Sequence, residues 1–385
     1  MICKLSDIVN TANTGADAIK KAPILNEPTN LRCLRIGDVS QKRDFSMWGY
    51  TKTSKMDYER YKLHKGDSII ARTGNTIGVC TYIEDDIESV YNNGLIRLTA
   101  KKELARERFL FYLIRSTACQ DYIQSIAYGT STQPNMKIKD FLNFDIIVPT
   151  LEIQDKIIAI VDKIEKKIQV NTEINNNLEQ QAQTIYQQMF IDNARSDWAE
   201  GTLSDIADIT MGQSPSGSSY NEDGTGTIFF QGRAEFGFRF PSVRLYTTEP
   251  KRMARSNDTL MSVRAPVGDL NVAHMDCCIG RGLAAIHSKS HHQSFVLYTM
   301  FSLKKQLDVF NGEGTVFGSI NRNSLNDMPI FIPSDDILDE FERIVAPMDL
   351  TIRNNYDENC RLQDIRDTLL PRLMSGELDV SDIDI

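Results

Sequence analysis

The chain repeats itself, and that repeat governs every other reading, because two similar halves call for two similar folds. LSDI at Leu5 to Ile8 recurs at Leu203 to Ile206. NGLIRLTAK from Asn93 parallels RGLAAIHSK from Arg281, and FLFYLIRS from Phe109 parallels FVLYTMFS from Phe295. YGTS from Tyr128 parallels EGTV from Glu313, and FDIIVP from Phe144 parallels MPIFIP from Met328. The offset falls from 198 through 188, 186 and 185 to 184 along this series, as small loop insertions and deletions in a duplication produce. At 385 residues the chain exceeds one comfortable core, so two globular modules with connecting elements are expected.

After each copy's IVP or FIP the text changes from turn-rich to long and glycine-free, which predicts helices. From Ile157 the apolar residues follow a heptad: Ile157, Ile164, Leu178 and Ile185 on one seam position, Val161, Ile168, Ala182 and Met189 on the other. Adding 184 gives Phe341, Met348, Leu362 and Leu369, then Val345, Ile352, Arg366 and Leu373. Both seams are interrupted mid-way by asparagines, Asn171 and Asn175 in the first copy, Asn355 and Asn359 in the second. Buried asparagines lower stability but fix register, since a slip leaves an amide facing hydrocarbon. Antiparallel pairing about a pseudo-two-fold axis brings these asparagines face to face, in helices of about 40 residues and roughly 60 Å. Pro347 is expected to kink the second helix or mark its start, and Pro371 to end or bend it. The expected segments are 1–150, a first module; 151–195, a first long helix; 196–334, a second module; and 335–385, a second long helix with a tail.

The net charge of −9 speaks at first against a nucleic-acid partner, but the charge is unevenly spread. Residues 1–150 carry 21 basic and 17 acidic side chains, residues 151–200 carry 5 and 9, residues 201–334 carry 12 and 12, and residues 335–385 carry 5 and 14. The acid therefore lies in the helices and tail, and the modules are neutral to mildly basic. No stretch approaches the roughly 20 apolar residues of a membrane span, and MICKLSDIVN lacks a basic-then-apolar signal region, so a cytoplasmic location is expected. Seven cysteines without CxxC spacing fit neither a disulfide framework nor a zinc knuckle; adjacent Cys277 and Cys278 suit strand packing.

Catalytic constellations are missing. There is no Gly-Lys pair for a phosphate loop and no Pro-Pro for the [N/D]PP[Y/F] tetrad of DNA amino-methyltransferases. Phe310-Asn311-Gly312-Glu313-Gly314 matches FxGxG, but it follows the helical run FSLKKQLDVF rather than a strand. Of the five histidines, His287 and His291 have metal-compatible spacing, yet the intervening Ser288, Lys289 and Ser290 read as a loop. Glu165 and Lys167 mimic part of a nuclease site but read as a solvated face of the first long helix. No metal ligand set and no catalytic residue is assigned.

The duplicated layout, together with LSDIADITMGQSPSGSSYN from Leu203, IVPTLEIQDKIIAIVDKI from Ile147, INNNLEQQAQTIYQQMF from Ile174 and IRDTLLPRLMSGELDV from Ile365, resembles the specificity subunit of type I restriction-modification systems, HsdS. The resemblance covers nearly the whole chain. It implies an α+β fold of two similar target-recognition domains separated by two long helices in an antiparallel coiled coil. It also implies a division of labour. Each domain reads half of a bipartite DNA site, and the helices set the unread spacer and dock methyltransferase subunits, two in number. S-adenosylmethionine belongs to those subunits, ATP and Mg to a motor and restriction subunit, and no cofactor to this chain. The first copy departs from the pattern, because TANTGADA after LSDIVN lacks the GQSPS element beginning at Gly212.

Arginine bonds guanine bidentately, asparagine and glutamine do so with adenine, and phosphates accept from hydroxyls, lysine and backbone amides. Loops rich in such residues give the DNA-binding candidates. In the first module they are Arg72, Thr73 and Asn75, with Tyr128, Ser131, Thr132, Gln133, Asn135 and Lys137. In the second they are Ser214, Ser216, Tyr220, Gln231, Arg233, Arg264, Arg281, Ser319, Asn321 and Arg322. Arg72 and Arg264 are read as corresponding positions, each following a strand-like run. The ordinary alternative for polar loop residues is solvation. Two rival functions are a self-contained restriction or methylation enzyme, which methylates DNA alone, and a coiled-coil scaffold, which gives no sequence-selective footprint.

Overall fold

The computed structural model of the chain describes residues 2–128, 134–312, 318–381 and 383. They form two compact units, Met1–Val170 with Glu358–Ile385, and Asn171–Asp357. Both long helices contribute to both units: the first spans Leu151–Tyr186 and continues as a π-helical stretch over Gln187–Asp192, and the second spans Asp335–Met374.

The two units are built alike from their first residues. Strand Ile2–Lys4 pairs antiparallel with Asp145–Ile147, and Ala199–Thr202 pairs with Pro329–Ile332. Each leads into a one-turn LSDI helix whose aspartate reaches back to the chain before it. Asp7 accepts from the Lys4 N–H at 2.8 Å and Asp205 from the Thr202 N–H at 2.7 Å. A carboxylate in the first turn satisfies an otherwise orphaned donor and complements the helix dipole, so a four-residue helix persists.

In the first unit a four-stranded antiparallel sheet runs in the order Val9–Thr14, Leu95–Ala100, Ser68–Ala71, Cys80–Tyr82. In the second the order is Ala207–Met211, Leu283–Ser288, Thr259–Ser262, Leu270–Val272. Every residue of Ser68–Ala71 and of Thr259–Ser262 is buried, as expected of interior strands covered on both faces. A smaller sheet lies beside each, three strands in the first unit and five in the second. Cys277 and Cys278 are buried on one of the latter's strands.

The heptad seams are buried or half-buried, and within each unit the two helices run antiparallel. In the first unit Ile157 and Val161 share a core with Leu370, Leu373, Phe109 and Tyr112. In the second, Ala182 and Tyr186 share one with Val345, Phe341, Phe295 and Tyr298. The second long helix neither starts at Pro347 nor ends at Pro371, but continues through both. Each proline removes a single backbone donor. Buried Val345 and Ile352 around the first proline, and Leu370 and Leu373 around the second, hold the helix in place. No helix among the described residues is long and apolar enough to cross a membrane.

Candidate nucleic-acid interface

In each unit the interior strand ends at a junction with two other segments. In the first, the Arg72 N–H donates to Gly94 O at 3.0 Å, Arg72 O accepts from the Met136 N–H at 2.8 Å, and the Gly74 N–H donates to Pro134 O at 3.2 Å. In the second, the Val263 N–H donates to Gly282 O at 2.9 Å, Val263 O accepts from the Ile320 N–H at 3.1 Å, and the Ala265 N–H donates to Gly318 O at 3.0 Å. A tight turn completes each junction, closed by the Leu95 N–H on Asn92 O at 3.1 Å and by the Leu283 N–H on Gly280 O at 2.9 Å.

These bonds fix the correspondence between the units and correct one expectation. Arg72 is equivalent to Val263, and Arg264 to Thr73, so the two arginines are one position apart. Arg72 turns its Nη2 onto Asn135 Oδ1 at 3.0 Å, while the equivalent Val263 is buried. The turn tips likewise correspond, Asn93 with Arg281. Sequence reasoning misses Asn93, for which the NGL and RGL segments of the repeat are the signal.

Each junction rests on a glycine. Gly15 and Gly212 hold the same place, since the Ala16 N–H donates to Tyr91 O at 2.8 Å and the Gln213 N–H to Ile279 O at 3.0 Å. A Cβ on Gly15 would stand 2.2 Å from Tyr91 O, and one on Gly212 would stand 2.1 Å from Gly280 O. The first copy lacks GQSPS but keeps the one residue of it that this backbone approach demands.

The remaining candidates divide by what their side chains already do. Thr73 and Asn135 form a backbone bridge, with Asn75, Tyr128 and Lys137 exposed near the same segments or beyond them. Ser131, Thr132 and Gln133 lie outside the described residues. In the second unit Arg264 bridges Ser319, and Ser214 Oγ accepts from the Arg281 N–H at 3.2 Å. Gln231 is exposed, and its carbonyl packs against Gly280 and Gly282. These five residues therefore gather at one edge. Arg233 is tied to Asp269, Tyr220 stacks on Phe229 and bonds Pro215 O, and Asn321 caps a helix through the Ser324 N–H. Ser216 bonds Ser218, and Arg322 is exposed on the first turn of that capped helix.

Other sequence readings change with the geometry. Glu165 is not a solvated helix residue. It accepts from Arg115 at 2.8 Å and from Arg366 at 3.1 Å, while Lys167 pairs with Glu358 at 3.1 Å. Burial works against the Glu165 charge, but the two guanidiniums outweigh it and hold the carboxyl below the usual carboxylate range. His287 lies on a strand and bonds Asp258 at 2.6 Å, while His291 occupies the loop. Among the described residues no group of three or more His, Cys, Asp and Glu could hold a metal ion. Phe310 and Asn311 sit in a short 3-10 turn, and Glu313 and Gly314 lie outside the described residues.

Residues 1–180 match the family model of the type I restriction modification DNA specificity domain. The chain is 28% identical to the putative type I restriction enzyme MjaX specificity subunit of Methanocaldococcus jannaschii, over 98% of this chain and 93% of that protein. It is 23% identical to the type I restriction enzyme HindI specificity subunit of Haemophilus influenzae, over 82% and 87% respectively. Its fold is similar to the crystal structure of the type I restriction-modification S subunit from M. genitalium, with a TM-score of 0.58 at 14% identity over 99% of this chain and 96% of that one. The paired LSDI helices, the twin junctions and these likenesses agree: residues 1–180 match a type I restriction modification DNA specificity domain, and the chain is similar over most of its length to specificity subunits of type I restriction enzymes.

Proposed function

We propose that this chain is the sequence-reading, non-catalytic subunit of a type I restriction-modification complex. Residues 1–150 and 196–334 act as two target-recognition modules, each reading one half of a bipartite double-stranded DNA site. The helical segments 151–195 and 335–385 set the spacer between the halves and dock two methyltransferase subunits. S-adenosylmethionine chemistry belongs to those subunits, and ATP-driven translocation and cleavage to restriction subunits.

One observation carries this reading. The matched DNA specificity domain covers the first copy, and the second unit rebuilds the same junction from the same backbone bonds with different side chains. A constant frame bearing variable polar tips is what two readers of unlike half-sites require. The test is to sequence modified bases genome-wide with the gene present and deleted. The expected result is one bipartite methylated motif that disappears with the gene. Inserting or deleting a helical turn around Asn171 is expected to change the spacer length and leave both half-sites intact. An unchanged spacer rules out the helices as the ruler.

A further inference from the structure

The structurally equivalent positions at the two junctions carry different chemistry. In the second unit they are Arg264, directly after the Val263–Gly282 hydrogen bond on one strand, and Arg281, directly before it on the other. In the first unit the same positions are Thr73 and Asn93, flanking the Arg72–Gly94 bond. Both second-unit arginines are exposed, and among the described residues neither guanidinium makes a hydrogen bond or ion pair. Several other arginines of that unit are engaged, Arg233 with Asp269, Arg239 with Glu179 and Asp349, Arg244 with Glu235, whereas Arg252, Arg322 and Arg343 are exposed like these two but do not flank the junction. Two cations brought to one edge with no acid paired to them among the described residues repel one another, and that arrangement is relieved by a ligand rich in acceptors.

The backbone beneath them is held rigidly. The Gly280 N–H donates to Phe230 O at 2.8 Å, the Arg281 N–H to Ser214 Oγ at 3.2 Å, and the Leu283 N–H to Gly280 O at 2.9 Å. The Gln231 carbonyl closes against Gly280 and Gly282, where an added Cβ would stand 2.8 and 2.9 Å from its oxygen. A fixed turn presenting a free guanidinium loses little backbone entropy when it binds.

We infer that Arg264 and Arg281 read guanine in the half-site of the second unit, and that Thr73 and Asn93 at the same positions make the first unit's half-site indifferent to guanine there. The guanidinium fork matches the N7 and O6 acceptors of guanine, whereas an asparagine amide matches the donor and acceptor of adenine. Phosphate also accepts from arginine, but every DNA sequence offers the same phosphates to both units. Residues that change while their backbone stays fixed follow what differs between half-sites, and that is the bases. This inference rests on the DNA-reading function proposed above.

The experiment uses the complex with its methyltransferase subunits and reads both the methylated motif and DNA affinity against salt. The variants are Arg264→Thr, Arg281→Asn and the conservative Arg281→Lys, each with a melting curve to establish folding. In the wild type, the half-site that changes with second-unit variants is expected to contain guanine. Arg264→Thr and Arg281→Asn are expected to lower discrimination at those guanines by about 5- to 150-fold and to leave the other half-site untouched. Arg281→Lys keeps the charge and loses the fork, so affinity holds while discrimination falls. Equal loss of affinity for all sequences, with a shallower salt dependence and with Lys rescuing fully, would mean phosphate contacts and overturn the inference. A bipartite motif whose second-unit half lacks guanine overturns it while leaving the proposed function intact. A wild-type complex with no sequence-selective methylation overturns both.

Discussion

Asn355 donates from its side-chain amide to Asn175 Oδ1 at 2.8 Å, and Asn175 passes its own amide to Ile352 O at 3.2 Å. Asn175 is buried, between Ile352 and the apolar residues of the next turns. One amide thus satisfies a side chain and a backbone carbonyl on the opposing helix, a geometry met in only one register. Asn175→Leu is expected to lower the unfolding free energy by about 1–3 kcal/mol, because Asn355 loses its acceptor in an apolar seam. Asn175→Leu with Asn355→Leu is expected to recover most of that loss. Denaturant unfolding of both variants measures the difference, and equal losses in the two would show that the pair has no special role.

Arg239 is a second bond between helices and module. Its guanidinium, 4% exposed, lies 3.1 Å from Glu179 on the first long helix, 3.4 Å from Asp349 on the second, and 3.1 Å from the Tyr298 hydroxyl. Burial raises the Glu179 carboxyl above its ordinary range even with this partner. Arg239→Met leaves two carboxylates facing each other in a partly dry site, and is expected to cost about 3–5 kcal/mol. Adding Glu179→Gln should restore part of the melting temperature. If the double variant is no more stable than the single, the charge argument is wrong and lost packing explains the effect.

Two half-buried glutamates, one in each unit, should respond to acid with opposite signs. Glu165 has a lowered pKa in the folded chain, so its stabilising contribution is full above the unfolded value of about 4.3 and is lost as pH falls through the lower folded value. Glu342, on the second long helix, is pushed upward chiefly by burial, although it accepts from the Phe295 N–H at 2.9 Å. Its contribution is full below the unfolded value and is lost as pH rises through the raised folded value. Unfolding free energies followed from pH about 3 to 7 are expected to show Glu165→Gln flattening the acid limb. Glu342→Gln is expected to remove a loss that appears on the neutral side. Parallel curves for both variants would contradict the assigned shifts.

Much of this architecture is legible in the sequence. The heptads mark Ile157, Val161, Phe341 and Val345 as seam residues, and the asparagine spacing marks the pairs Asn171/Asn175 and Asn355/Asn359 as facing each other, while the individual bond from Asn355 to Asn175 comes only from the geometry. Periodicity works there because every contact is set by helix geometry. It does not work for Glu165 or Arg239, whose partners Arg115, Arg366, Glu179 and Asp349 come from elements distant in sequence. The strand-like runs before Arg72 and Arg264 invite a match of these two arginines. Only the backbone bonds to Gly94 and Gly282 reveal the one-residue slip. A slip of one exchanges the face on which a side chain emerges, and here it separates a buried valine from an exposed arginine.

Gly15 and Gly212 tie the fold to the proposed reading surface. Each packs directly on the strand end that leads to a turn tip, Gly15 against Tyr91 O and Asn92 O, Gly212 against Gly280 O and Ile279 O. Alanine at either position brings a methyl group to within 2.2 or 2.1 Å of backbone oxygen, which cannot yield as a flexible side chain can. Each substitution is therefore expected to destabilise by more than about 1 kcal/mol through local strain. It is also expected to shift the adjoining tip, Asn93 in one unit and Arg281 in the other. Methylation by the assembled complex distinguishes this local effect from general unfolding. Gly15→Ala should weaken discrimination in the half-site read by the first unit alone, and Gly212→Ala in the half-site read by the second. Equal weakening of both half-sites by either variant would show that the glycines support overall stability and have no separate hold on the reading tips.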